Sequence, residues 1–247
     1  MKFAAFDLEI AKLLPENASD IKRYAPLGIS CAALAFNDKQ DVLFWQGVPR
    51  LPRERCADVV ADLHRVVDEG YTLLTWNGCS FDFFVLAQES GLLEECSDLA
   101  LNHVDLMLIV TFTKGYYLGL DKALAGAGLG GKVKTLTLSN GTSLRDMSGA
   151  RAPQLWADGE YQAVLEYLRA DVVQLVELSR ALERSKAIHW RSQSGAPQSV
   201  PIPKWLLVKD CFDIPEPDTS WMRSPPSRRD FVAWMPSAKQ PGTTRQR

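Results

Sequence analysis

The chain has 247 residues, 28 Lys+Arg against 30 Asp+Glu, a formal net charge of −2, and 46% hydrophobic and 23% charged residues. This balance belongs to a folded globular chain and excludes wholesale disorder; no apolar run reaches the ~18 residues that a membrane-spanning helix needs. Asp7 and Glu9 interrupt the N-terminus too early for a secretion signal, and the five cysteines (Cys31, Cys56, Cys79, Cys96, Cys211) form no CxxC pair or zinc spacing. Free thiols in a reducing cytoplasm are the expectation.

Taken in chain order, residues 2–8 read as a short buried strand, followed by a polar loop that carries Pro15 and Pro26. Residues 28–36 and 42–46 read as an antiparallel hairpin around the turn at 37–40. Val59, Val60, Leu63, Val66 and Val67 recur at helical spacing over 52–69, with Gly70 as the stop. A fourth strand is expected over 71–76, ended by Asn77-Gly78, and then a helix from an N-cap at Ser80 to Gln88, closed by Gly91. Residues 103–113 suggest a short strand running into a helix, and 118–129 another short helix. The clearest helix spans 160–183, where Tyr161, Val164, Leu165, Leu168, Val172, Leu175, Val176 and Leu182 form one apolar stripe. Three strands and then strand–helix alternation argue for a mixed sheet covered by helices.

The composition changes near residue 186. Residues 184–247 hold 9 of the 14 Pro, 4 of the 7 Trp, and 11 basic against 5 acidic residues; residues 1–183 hold 17 basic against 25 acidic. Pro at this density precludes long helices, yet four Trp are too apolar for a free linker. An irregular segment is expected whose Trp side chains either pack back on the body or offer an aromatic, basic surface for stacking bases, with residues 239–247 loose. A solvated tail explains the charge as well as a polyanion partner does.

Three places carry acids that a plain core would avoid. Asp7 and Glu9 at the first strand's end lie at i and i+2 and project from one face. Such a pair repels and is costly to desolvate unless a cation lies between, and a hard ion such as Mg²⁺ takes oxygen ligands. Asp82 falls in a first helical turn, where it could equally serve only the helix dipole. Asp171 interrupts the apolar stripe between Leu168 and Val172, with Tyr167 one turn before it; an arginine partner would satisfy it as well as a metal would. A near-match to a phosphate loop, GAGLGGKV at 126–133, has Val133 in place of the magnesium-binding hydroxyl and follows a helix, so an NTPase is not expected. Lys132 and Lys134 there contact nucleic-acid backbone or are simply solvated.

In this order, FDLE at 6–9, NGCSFD at 77–82 and YLRAD at 167–171, the sequence resembles the DEDD superfamily of 3′–5′ exonucleases, in its tyrosine subclass. The histidine subclass would need His where Glu166 stands. HVDLM at 103–107 and residues 120–132 are similar to the branch of proofreading exonucleases in family B DNA polymerases. The resemblance implies an α/β, ribonuclease H-like mixed β-sheet flanked by helices over residues 1–186, with 187–247 an irregular Pro/Trp-rich extension. It implies hydrolysis of phosphodiester bonds at single-stranded 3′ ends, DNA favoured over RNA, by a free-standing nuclease or subunit with two Mg²⁺ or Mn²⁺ about 4 Å apart. Asp7 would bridge the ions, with Glu9, Asp171 and Asp82 completing their shells. Tyr167 would orient the attacking water, and Asn77 and Phe81 would meet the terminal sugar or base. Phe81 could equally be a core aromatic. Ile10 departs from the Thr that relatives often carry after the first Glu. The contrasting reading is a ribonuclease H-like module that binds nucleic acid or protein without cutting.

Overall fold

Eight residues in succession, Phe3–Ile10, form β1, apolar but for Asp7 and Glu9 and buried except at Asp7. In the computed structural model, which describes residues 1–241 other than Asn17 and Ser19, β1 is the middle strand of a five-stranded sheet. β2 (Ile29–Phe36) runs antiparallel beside it and is buried at every position, the pattern of a strand covered on both faces. β3 (Val42–Gln46) pairs antiparallel with β2, buries only Trp45 and exposes Leu43 and Gln46, as an edge strand can. On the other side, β4 (Thr72–Thr75) and β5 (Val104–Asp105) continue the sheet in parallel, giving the order β3-β2-β1-β4-β5. This is a mixed sheet with helices packed against it, of the ribonuclease H-like kind.

The helices follow the apolar stripes. α1 (Arg53–Asp68) buries Cys56, Val59, Val60, Leu63 and Val66. α2 (Asp82–Ser90) and α3 (Leu93–Leu101) pack on α1 and on each other. α4 (Leu106–Lys114) starts directly from β5, and α5 (Leu120–Gly126) follows. A small hairpin, β6 (Leu136–Thr137) with β7 (Ser143–Leu144), leads to α6 (Ala152–Ala157) and to α7 (Tyr161–Ser185), whose apolar stripe lies across β1 and β2. Among the described residues no helix is long and apolar enough to cross a membrane, and all five cysteines are free and buried.

Several local expectations need correcting. Ser80 is not a cap: α2 begins at Asp82 behind Phe81, and the Ser80 hydroxyl instead accepts the Lys22 ammonium at 2.6 Å. α3 and α6 had not been read from the sequence. The extension does not start as irregular chain: β8 (Ala187–Arg191) and β9 (Pro197–Pro201) form an antiparallel hairpin, with prolines only at the ends of β9 where no ladder bond is lost. Beyond it come α8 (Val208–Cys211) and irregular segments. Trp190 is buried, Trp205 meets Phe3 edge-on at 4.6 Å and Trp234 meets Phe84 at 6.4 Å, whereas Trp221 is 68% exposed. Lys239, expected in a loose tail, pairs with Glu94 (3.2 Å) and Asp98 (2.5 Å); residues 242–247 lie outside the described residues.

The near-phosphate-loop also has a structural purpose. A Cβ on Gly126 would lie 1.7 Å from the His189 carbonyl oxygen, so glycine is what lets the end of α5 touch β8.

Candidate active site

Strand pleating turns the side chains of Asp7 and Glu9 to one face of β1, and α7 crosses that strand with Asp171 on its buried side. The result joins residues 164 positions apart: carboxylate oxygens of Asp7, Glu9 and Asp171 all lie within 4.8 Å of one another. Asp82 arrives from the first turn of α2. Its Oδ1 accepts the Leu8 N–H at 3.1 Å, and burial, with Asp7 beside it, raises its pKa. All four acids therefore meet at the middle of β1, three as a tight group and Asp82 against its flank.

Crowding acids in a desolvated place disfavours their charge. Burial, and then the neighbouring Asp171, push Asp7 up to about 7. Burial likewise holds Glu9 well above the carboxylate range, with Asp7 and Asp171 adding to it. Asp82 is raised by burial and by Asp7, and Asp171 by burial. The neighbouring Tyr167 hydroxyl favours the charged form of Asp171. Tyr167 is itself buried, and burial followed by the Asp171 charge raises it above the ordinary phenol value, so it is a hydrogen-bonding group and not a base at neutral pH.

Lys132 belongs to the site and had not been singled out for it. Its ammonium lies 2.5 Å from Asp171 Oδ2 and 4.8 Å from the centre of the Tyr167 ring. The glycine-rich loop is fastened from two helices to aim it. Asp121 on α5 accepts the Lys132 N–H at 2.8 Å and the Lys134 ammonium at 3.0 Å, while Gln174 on α7 donates to the Gly131 carbonyl at 2.8 Å. Gly131 needs to be glycine: its φ is +90°, and a Cβ would sit 2.6 Å from Asp121 Oδ1. No periodicity or spacing in the sequence links Lys132 to Asp171.

The Asn77–Phe81 turn, which delivers Asp82, rests on a buried polar scaffold. Asp105, fully buried, accepts N–H groups from Asn77 (3.0 Å), Cys79 (3.1 Å) and Leu108 (3.1 Å). Burial raises Asp105 to about 6, against the pull of those donors. The Gly78 N–H reaches Thr75 Oγ1 at 3.0 Å, and Thr75 and His103 Nε2 are 2.8 Å apart. His103 Nδ1 lies 2.7 Å from the Ala100 carbonyl, which must take a proton from it. That tautomer leaves Nε2 to accept from the Thr75 hydroxyl, and burial lowers His103 to about 3, so the ring is neutral. From above, Trp234 Nε1 donates to the Cys79 carbonyl at 2.9 Å.

Phe81 and Asn77 lie on different sides of this turn. Phe81 is half-buried and, with Glu9, Leu13, Leu14 and Pro153, lines an apolar cavity of about 510 Å³ beside the acids. Asn77, held at φ +78°, borders a second, more open groove.

Asp171 Oδ1 is buried and has no hydrogen-bond partner among the described residues. An orphaned carboxylate oxygen within a group of three acids is the donor set a hard divalent cation fits, and Asp7, Glu9 and Asp171 are the residues that would hold one.

No protein-family model and no curated protein matches the chain. Among solved structures, the family B DNA polymerase from the hyperthermophilic archaeon Pyrobaculum calidifontis is similar at 18% identity and a TM-score of 0.50. The match covers 74% of this chain and 24% of that one, so the chain spans less than a quarter of the polymerase's length. At this identity the likeness concerns the fold.

Proposed function

We propose that the chain is a metal-dependent 3′–5′ exonuclease that hydrolyses phosphodiester bonds at the ends of single-stranded nucleic acid, with DNA preferred to RNA. The observation that carries the reading is the convergence of Asp7, Glu9 and Asp171 around an orphaned, buried carboxylate oxygen. Asp7, Glu9 and Asp171, with Asp82 against Asp7, would hold Mg²⁺ or Mn²⁺. Bound there, such ions neutralise phosphate charge, lower the pKa of water and stabilise a departing 3′ oxygen.

The chain's own residues then divide the remaining work. The apolar cavity beside Glu9 receives the terminal nucleoside, with Phe81 against its base and water excluded by Leu13, Leu14 and Pro153. Tyr167, fixed as a phenol at the edge of the acids, holds an attacking water by hydrogen bonding. Lys132, kept protonated chiefly by Asp171 although burial opposes its charge, adds a positive group where a phosphate must approach four carboxylates. The preference for DNA draws on the likeness to a DNA polymerase.

One observation favours the second reading, a module that binds without cutting: the Lys132–Asp171 ion pair already supplies this acid with a cation. Incubating 5′-labelled single strands of DNA and RNA with Mg²⁺ or Mn²⁺ separates the two. A nuclease gives a ladder of shortened products, more readily on DNA, that disappears in a chelator, in Asp7→Ala and largely in Tyr167→Phe. Shortening that survives Asp7→Ala refutes the assignment, and cutting of a circular strand makes the protein an endonuclease.

A further inference from the structure

A second cavity, about 710 Å³ and open to solvent, lies across the Asn77–Phe81 turn from the apolar one. Its walls come from four separate parts of the chain: Lys22 and Arg23 from the 3-10 turn Ile21–Tyr24, Asn77 and Ser80 from the turn before α2, Tyr117 from the segment between α4 and α5, and Asp230 near the C-terminus. The last wall belongs to the C-terminal extension.

Lys22 is the unusual member. Its ammonium is half-buried, yet its hydrogen-bond partners are a hydroxyl, Ser80 Oγ at 2.6 Å, and a carbonyl, Asp230 O at 3.5 Å. Arg23 beside it is tied to Asp20 at 3.0 Å, so Asp20 is already engaged. Burial lowers the Lys22 pKa, opposed by the nearby Cys79, Asp20 and Asp230. Tyr117 is 55% exposed, and its ring leans on Phe231 of the extension with centroids 6.0 Å apart, so one face is supported from behind. An ammonium hydrogen-bonded to neutral oxygens and a propped aromatic ring in one groove make the pair of contacts that a phosphate and a neighbouring base require.

We infer that this groove is a second binding site, one that takes an internal phosphate and base of a single nucleic-acid strand. Lys22 meets the phosphate, Tyr117 stacks on the base, and the C-terminal extension forms one wall. The groove and the apolar cavity share the Asn77–Phe81 turn as their partition, and the Ile21–Tyr24 turn borders both, Ile21 on one side and Lys22 on the other. A strand whose end occupies the cavity beside Glu9 would therefore run its preceding nucleotides past Lys22. The inference rests on the nuclease reading and adds the path of the substrate to it. The Asp20 and Asp230 carboxylates, which also line the groove, oppose a phosphate and limit affinity.

The test compares two substrates. The p-nitrophenyl ester of thymidine 5′-phosphate needs the acids and the apolar cavity only. A fluorescein-labelled oligothymidylate of about ten nucleotides is long enough to reach the groove as well. Ester hydrolysis is followed with Mn²⁺, and oligonucleotide binding by fluorescence anisotropy in a chelator over a range of salt. Tyr117→Ala should weaken oligonucleotide binding roughly tenfold, and Lys22→Met should reduce the slope of log affinity against log salt by about 0.7. Asp230→Asn should tighten binding. All three should hydrolyse the ester as the wild type does. Unchanged oligonucleotide binding in both Tyr117→Ala and Lys22→Met overturns the inference. So does a loss of ester hydrolysis in Lys22→Met, which would make Lys22 a strut for the turn carrying Asp82. A wild type that neither hydrolyses the ester nor shortens the 5′-labelled strands with Mn²⁺ overturns the nuclease reading, and the binding data then decide the groove separately.

Discussion

Asp105→Ala tests whether the turn that presents Asp82 is held from beneath. The substitution strands three backbone N–H groups, those of Asn77, Cys79 and Leu108, around a side chain with no exposure to solvent. A hydrogen bond to a charged acceptor contributes about 1.5–3 kcal/mol, and a buried orphaned donor costs about 1–3 kcal/mol. Cys79 and Leu108 are buried, whereas Asn77 is half-exposed and can turn to water. Two full losses and one partial loss come to about 4 kcal/mol, a large share of the roughly 5–15 kcal/mol that holds a typical domain together. With a urea m-value of about 2.5 kcal/mol/M, the unfolding midpoint should fall by about 1.6 M. Asp105→Asn keeps Oδ1 for Asn77 and Leu108 and should lose about half as much. A midpoint shift under about 0.4 M in the alanine variant would refute the reasoning, because the N–H groups would then have other acceptors.

The same scaffold predicts a pH effect through His103. Its pKa of about 3 when folded lies below 6.5 when unfolded, so the unfolded chain binds more protons between those values and stability is lost as pH falls from about 6.5 towards 3. The full interval corresponds to about 5 kcal/mol, and urea midpoints measured from pH 7 to 4 should decline less steeply in His103→Gln. Lys132→Met removes the cation from Asp171 and should cost about 3 kcal/mol of stability, with millimolar Mn²⁺ restoring part of it; thermal melts with and without the metal check both halves. Gly126→Ala places a methyl group against the His189 carbonyl, so soluble expression or the melting temperature should fall sharply, while Gly128→Ala, which meets nothing within 4 Å, should be limited to the strain of its +77° φ. Tyr167→Phe should leave the fold intact, as judged by circular dichroism, and lower kcat far more than it changes KM.

How much of this could be read in the sequence depended on whether the cause was local. Asp7 and Glu9 share a face because strands alternate, and Asp171 stood out because it interrupted the α7 stripe; both are short-range patterns. The sheet's hairpin and the strand-to-helix passage at 104–114 were legible for the same reason. Lys132 was not, since its partner is 39 residues away and reaches it only after α5 and α7 dock on the loop. Ser80 was misread because its hydroxyl met a cation from 58 residues earlier, and a long-range partner took the group that a cap would have used. The β8–β9 hairpin was hidden by its prolines, which mark the strand's ends and not its absence.

The acids come from parts of the chain on either side of the exposed turn at 139–142. A nick there would leave Asp7, Glu9, Asp82 and Lys132 on one fragment and Tyr167 and Asp171 on the other, each inert by itself. Because loop tips tolerate cleavage best, the two pieces could be produced separately and mixed. On the proposed nuclease reading, recovery of hydrolysis would then report their reassociation, making the molecule a reporter of its own docking.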